Sequence, residues 1–253
     1  MEQQGAVSGV RYRLIDALRG LSLLNMLAYH FLYDIIVIYG GDAHWALQPA
    51  VVAWERYICC SFILIAGVSL NFSRHAWRHG VLVSVCGIVI TAVTAIAIPG
   101  QVIMFGVLTF IGAAILLVQA LRRLLERCNP FTGAAVSLLL FAFFYGMPVA
   151  HTVGFFDVPL LRLPDALYRF RPLAAVGLPD AGFYSTDYFP LVPWLFLFVC
   201  GFFGWRALVS LNADRFFVRG VPLLDVVGKY TLWIYLIHQP LLMGVCFLMF
   251  GGF

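Results

Sequence analysis

Long apolar runs alternate with short polar connections along the whole chain. A membrane-spanning helix needs about 20 apolar residues, and about seven runs reach that length: roughly 18–40, 51–72, 80–98, 102–121, 132–150, 188–209 and 223–249. The last run is long enough to tilt or to begin as an interfacial segment. The pattern predicts an all-α fold, a polytopic transmembrane bundle. With no internal repeat or low-complexity linker in view, residues 1–253 read as a single integral-membrane domain. The only sizeable piece outside the apolar runs is an external loop at about 151–187. It is rich in Pro, Phe and Tyr and has no helical period. A loop that long and apolar is expected to pack down on the bundle, either as a functional lid or as an ordered cover without substrate contact.

Composition removes the soluble alternatives. The 253 residues are 62% hydrophobic and 11% charged, with a mean hydropathy of +0.94, so a soluble core would have too little polar surface to cover it. Arg11, Arg13, Asp16 and Arg19 precede the first apolar run, and no small-residue cleavage site ends it, so the first helix is expected to stay in the mature protein. The net charge of +4 is spread between apolar runs, without the basic tract or aromatic-basic module of a nucleic-acid binder. Cys59, Cys60, Cys86, Cys200 and Cys246 fall in apolar runs and Cys128 in a basic connection. This is neither a disulfide framework nor a metal-ligand spacing, and no metal is expected.

Basic residues orient the bundle. Arg11 and Arg13 precede the first span, Arg74 and Arg78 follow the second, Arg122, Arg123 and Arg127 the fourth, and Arg206, Arg215 and Arg219 the sixth. On the opposite side Arg162, Arg169 and Arg171 share the long loop with Asp157, Asp165, Asp180 and Asp187, and the short connections have no Lys or Arg. The positive-inside rule predicts a cytoplasmic N-terminus and, with seven spans, an external C-terminus.

Polar residues inside the runs carry the candidate chemistry, because charge in lipid is costly and usually functional. In LRGLSLLNMLAYHFLYD, Arg19 and His30 have ten residues between them, and Asp34 follows four beyond the histidine. That last spacing puts imidazole and carboxylate on one helical face, where the carboxylate can orient the ring. Helical rise places His30 about 16 Å in from Arg19, near mid-bilayer, with Asp34 about 6 Å further out. Arg56 on the second span comes to a similar depth, which predicts an Asp34–Arg56 pair, either functional or merely holding the two helices together. His30 reads as a general base, or more blandly as an interhelical hydrogen-bonding group.

The remaining candidates differ in weight. His44 sits beside Trp45 in the short external loop GGDAHWALQP, with Trp45 and Trp54 as interfacial aromatics. His75 and His79 accompany Arg74 and Arg78, as a positive-inside anchor or a phosphate-binding patch. His151, at the outer surface after the fifth span, is assigned nothing. Asp187 suits the dipole at the start of the sixth span, where Pro190 and Pro193 are tolerated. In GKYTLWIYLIHQPLL, Lys229 can snorkel to the membrane face and His238 lies about 13 Å deeper. Pro240 frees the carbonyl of Leu236 and is expected to kink the helix near His238 and Gln239, a broken polar position that must be buried or line a cavity.

Four segments together resemble a known family. RLIDALRGLSLLNMLAYHFLYD, WERYICCSFILIAGVSLNFSR, FGVLTFIGAAILL and DYFPLVPWLFLFVCGFFG, in that order, resemble the heparan-alpha-glucosaminide N-acetyltransferase catalytic-domain family in its small bacterial form. The Arg–ten–His spacing and the closing GKYTLWIYLIHQP also resemble the wider transmembrane acyltransferase superfamily. The resemblance covers nearly the whole chain. It implies a membrane-bound acyl-CoA-dependent acyltransferase in the bacterial inner (plasma) membrane. An acyl group, acetyl by implication, would move from cytoplasmic acyl-CoA to an extracytoplasmic sugar or glycan. By matching position it makes Arg19, His30, Asp34, Arg56 and His238 the site candidates.

One departure matters. In the lysosomal enzyme of this family the position after the Arg spacing is Asn, and a histidine in the following lumenal loop is the active one. Here that position is His30 and the loop holds His44, so both are candidates for the base. Acyl transfer needs such a base, and donors for the developing oxyanion, for which His238 and Tyr235 are suited. Arg19, Arg122, Arg123 and Lys229 are candidates to clamp the phosphates of acetyl-CoA, although the positive-inside rule also accounts for them. Partners follow as acyl-CoA, a sugar or glycan acceptor and the lipid bilayer, with no nucleic acid; whether the protein is a homodimer stays open. Two other readings remain at this stage: a proton-coupled transporter or channel using Asp34, His30 and His238 as a relay, and a non-catalytic membrane subunit.

Overall fold

The computed structural model describes residues 11–156 and 158–251. Asp157, counted above among the loop's acids, lies outside the described residues. Among these, seven helices are long and apolar enough to cross a membrane. The first is α1 (Arg13–Tyr33), which runs without a break into a π-helical turn, Asp34–Tyr39. Next come α2 (Pro49–Leu70), α3 (Ala76–Ala97), α4 (Val107–Leu125) and α5 (Pro130–Phe144), the last extended by the short α6 (Met147–Ala150). A hairpin of β1 (Thr152–Phe155) and β2 (Val158–Arg162) precedes α7 (Leu191–Ser210). The chain closes with α8 (Leu224–Lys229) and α9 (Thr231–Phe250). The expected long final run is thus two helices that part at Tyr230. It is an integral membrane protein.

The chain divides into two compact units. One takes the chain up to Ile65 together with the segment from Leu208; the other is Ala66–Ala207. In the first unit the core joins buried Leu23, Met26 and Ile58 to half-buried Tyr29, Trp54, Val227, Ile234 and Tyr235. Polar groups join α1 to α2: Ser22 Oγ donates to Ser61 Oγ at 2.9 Å, and Trp54 Nε1 donates to Asn25 Oδ1 at 3.0 Å. Trp54 is therefore tied to α1 as well as suited to the membrane interface. α1 and α8 meet backbone to backbone, because a Cβ on Gly20 would collide with the Leu224 carbonyl and one on Gly228 with the Asp16 carbonyl. Small residues allow this approach where lipid gives no hydrophobic drive between helices. Beside that crossing Arg13 closes on Asp225, a fully buried carboxylate, at 2.6 Å.

In the second unit α3 and α4 cross on the same principle. Gly87 abuts Thr109, and Gly112 abuts Ser84. α5 starts on an Asn-Pro signal, with the Asn129 side chain accepting from Phe131 N at 3.0 Å and Thr132 N at 3.2 Å. The 151–187 loop is ordered by its own contacts. Tyr168 and Tyr188 donate to the Met147 and Ala174 carbonyls at 2.7 and 2.6 Å, and burial pushes both phenols above their ordinary range. Its hairpin returns to α5, where Phe156 N donates to Ala142 O at 3.2 Å. Asp187 departs from expectation. Its Oδ2 accepts from Val107 N at 3.0 Å, so it caps α4 instead of the helix that follows it in sequence.

Candidate functional site around His30 and His238

α1 carries its polar residues on an otherwise apolar helix, and the spacing of four does hold between His30 and Asp34. At Asp34 the helix widens to i→i+5 hydrogen bonding, exemplified by Gly40 N to Ile35 O at 2.9 Å. Such turns recur at functional positions because they re-aim side chains relative to a regular helix.

Asp34 is fully buried, and its partner is not the one the sequence predicts. Gln239 Nε2, from α9, donates to Oδ1 at 2.9 Å and to Oδ2 at 3.2 Å. Among the described residues no ion pair joins Asp34 to Arg56, which is exposed on α2 and has Glu55 and Cys60 in its electrostatic reach. Depth is only one coordinate of such a pair; the face each helix presents decides contact, and here α9 meets the carboxylate. Nor does Asp34 hydrogen-bond the His30 ring. Both oxygens are directed to Gln239, and the expected carboxylate-oriented imidazole is replaced by a different arrangement.

That arrangement is a pair of imidazoles. The ring of His30 lies 5.0 Å, centroid to centroid, from that of His238 on α9, the planes inclined at 60°. His238 is 6% exposed. Its Nδ1 lies 2.5 Å from the carbonyl oxygen of Tyr235. A carbonyl oxygen only accepts, so Nδ1 carries the hydrogen and donates, and in the neutral ring Nε2 is left as the basic lone pair. That Nε2 is buried and has no hydrogen-bond partner among the described residues. α9 stays helical through Pro240, so His238 and Gln239 are presented on consecutive positions of one continuous helix. The Tyr235 ring, 5.2 Å from that of His238, completes the group.

The other candidates are dispersed. His44 is exposed, at the head of a short helical turn (Trp45–Leu47), where its own N–H donates to Asp42 Oδ1 at 3.1 Å. Arg19 is half-buried and already engaged, its Nη1 donating to Asp16 Oδ1 at 3.0 Å and Gly228 O at 3.3 Å. Lys229, in the same unit, is exposed at the end of α8. Arg122 and Arg123 belong to the other unit; Arg122 pairs with Glu126 at 2.7 Å and Arg123 is exposed.

Sequence reasoning passed over three features. Gln239 appeared only as a neighbour of the expected kink, although an amide beside a membrane histidine is itself a signal of polar contact at depth. Asp225 pairs with Arg13 across 212 positions, a distance no local pattern spans. Glu55 meets the Tyr29 hydroxyl at 3.5 Å within an aromatic group that includes Trp45 and Trp54.

Residues 11–240 match the family described as heparan-alpha-glucosaminide N-acetyltransferase, catalytic. The chain belongs to that family. The match spans α1 to the middle of α9 and contains every candidate residue named above. Membership in the heparan-alpha-glucosaminide N-acetyltransferase catalytic family implies an acetyltransferase, and the family uses acetyl-CoA as donor. Neither a curated protein nor a solved structure matches the chain.

Proposed function

We propose that this protein is a membrane acetyltransferase that moves an acetyl group from cytoplasmic acetyl-CoA to an extracytoplasmic sugar or glycan, with the chemistry at the His30–His238 pair. The observation that carries the reading is His238 Nε2: a basic nitrogen held in one tautomer, buried, without a hydrogen-bond partner among the described residues, on a ring whose centroid lies 5.0 Å from that of a second imidazole.

The step follows from these groups. His238 Nε2 takes the proton of the acceptor amine or hydroxyl as that atom attacks the thioester carbonyl carbon. The new C–N or C–O bond forms, the C–S bond breaks, and the proton passes from imidazole to the departing thiolate. His30, at 5.0 Å between ring centroids, is placed to share that proton and to donate to the carbonyl oxygen as charge develops there. Tyr235 accepts from Nδ1 and so keeps the tautomer that catalysis requires. His44, exposed at the head of the Trp45–Leu47 turn, is the alternative base. Arg19 and Lys229, in the same unit as the imidazole pair, are the cations assigned to the donor's phosphates, with Arg19 having to share its fork with Asp16. The positive-inside pattern supports a cytoplasmic N-terminus, and the resemblance to the family's small bacterial form supports a bacterial plasma membrane.

The test is acetyl transfer by the purified protein from labelled acetyl-CoA to a panel of amino sugars and neutral sugars. Product on any acceptor, lost in His238→Asn, supports the reading. No product on the panel, together with no saturable acetyl-CoA binding, overturns it.

A further inference from the structure

The family's chemistry leaves Asp34 without a task once it is seen not to touch His30. Its surroundings are unusual for an ionised carboxylate. It is fully buried in a membrane span, and one neutral amide nitrogen serves both oxygens. Among the described residues, Asp34 acts electrostatically on Tyr39, from the same π turn, and Cys246, further along α9, neither of them a cation; the imidazoles of His30 on α1 and His238 on α9 form no ion pair with it. The turn Trp45–Leu47, which adjoins the π segment, carries no ionisable side chain. An ionised carboxylate here would have no opposite charge to offset its loss of water.

The amide tells the same story. With Nε2 on the carboxylate, Gln239 Oε1 is buried without a hydrogen-bond partner among the described residues. An ionised Asp34 has no hydrogen to give it. A protonated Asp34 does: its O–H reaches Oε1 while Nε2–H donates to the other carboxyl oxygen, a closed two-bond ring between acid and amide. That ring requires the amide to rotate from its bifurcated position. It satisfies Oε1, the orphaned acceptor of the pair, with a group already in contact.

We infer that Asp34 is held as a neutral carboxylic acid, ring-paired with the Gln239 amide, and that Gln239 is thereby a positioning residue for His238. Gln239 is the next residue after His238 on α9, so a clamp on its side chain sets the height and rotation of the helix where Nε2 is presented. The protonation half of the inference stands on the acid–amide geometry alone; the positioning half rests on the acetyltransfer reading.

Infrared spectroscopy of the full-length protein in lipid nanodiscs at neutral pH tests it, with the aspartate side-chain carboxyls carrying heavy carbon. The expected result is a protonated-carboxyl carbonyl band that moves with the label, disappears in Asp34→Asn and shifts in Gln239→Leu. Ionised carboxylate bands alone, or a protonated band indifferent to both substitutions, overturn the inference. Absence of a protonated-carboxyl band in the labelled wild type overturns the inference even where a variant fails to fold. In the transfer assay Gln239→Leu is expected to lose kcat while the donor KM holds. A wild type without the band would sink the pair itself, whereas a wild type without transfer would sink only the enzymatic reading.

Discussion

Replacing His238 by Asn separates chemistry from folding. The asparagine amide reaches roughly where Nδ1 sits, so it can still donate to the Tyr235 carbonyl, which lies on the same helix three residues back. Nothing in the protein loses a bond at the other end of the ring, because Nε2 has no partner there among the described residues. The structural cost is therefore packing against the His30 and Tyr235 rings, whereas His238→Ala would also remove a hydrogen bond worth about 1 kcal/mol. Removing a general base costs roughly 10²- to 10⁴-fold in rate, or about 3 to 5 kcal/mol of barrier. The Asn variant should then show a thermal midpoint in detergent close to the wild type, while acetyl transfer falls by at least about 100-fold. The assay is single-turnover transfer from labelled acetyl-CoA beside a melting curve on the same sample. An Asn variant that stays within about tenfold of wild-type turnover would refute the assignment of Nε2 as base.

Other consequences follow from the same geometry. His30→Ala combined with His238→Asn should cost much less than the sum of the single losses, since the rings act on one proton; additive losses in the transfer assay would separate their roles. Gly228→Ala places a methyl on the Asp16 carbonyl and should destabilise the first unit by about 1–3 kcal/mol, read as a lowered denaturation midpoint; an unchanged midpoint would contradict the close crossing. A double-mutant cycle on stability should give a measurable coupling for Asp34 with Gln239 and close to none for Asp34 with Arg56, and the reverse order would restore the pair predicted from depth. Burial and the hydrogen bond donated to Asp214 at 2.8 Å hold the Tyr12 phenol up at about 12, against an ordinary 10.0. The folded state thus keeps a proton that the unfolded state releases, so this contribution is present below pH 10 and lost as pH rises toward about 12. Tyr12→Phe should flatten that alkaline decline in a pH series of melting curves.

The spans were legible because their signal is local: run length and composition suffice, and the second expected run, 51–72, corresponds to Pro49–Leu70. The break at Tyr230 and the ordered 151–187 loop were half-legible, the first as an overlong run, the second as apolar content without a period. The site was read as a list of residues and not as a constellation. His30 and His238 stood out because imidazole is rare in hydrocarbon. Their contact did not, because it depends on how α1 and α9 face each other. Asp34 illustrates the gap most clearly. Its spacing to His30 holds, yet both its oxygens meet Gln239 of α9 and neither meets the imidazole. Asp187 shows the same limit, since a carboxylate at the start of one helix in sequence caps a different helix in space.

The central claim is vectorial acetyl transfer at a buried imidazole pair. Its most direct test is transfer in sealed proteoliposomes, with labelled acetyl-CoA enclosed on one side and an impermeant sugar acceptor on the other. Acetylated acceptor is expected outside and free coenzyme A inside, with neither from His238→Asn. Release of coenzyme A without acceptor product, or solute flux that needs no acetyl-CoA and survives His238→Asn, would contradict it.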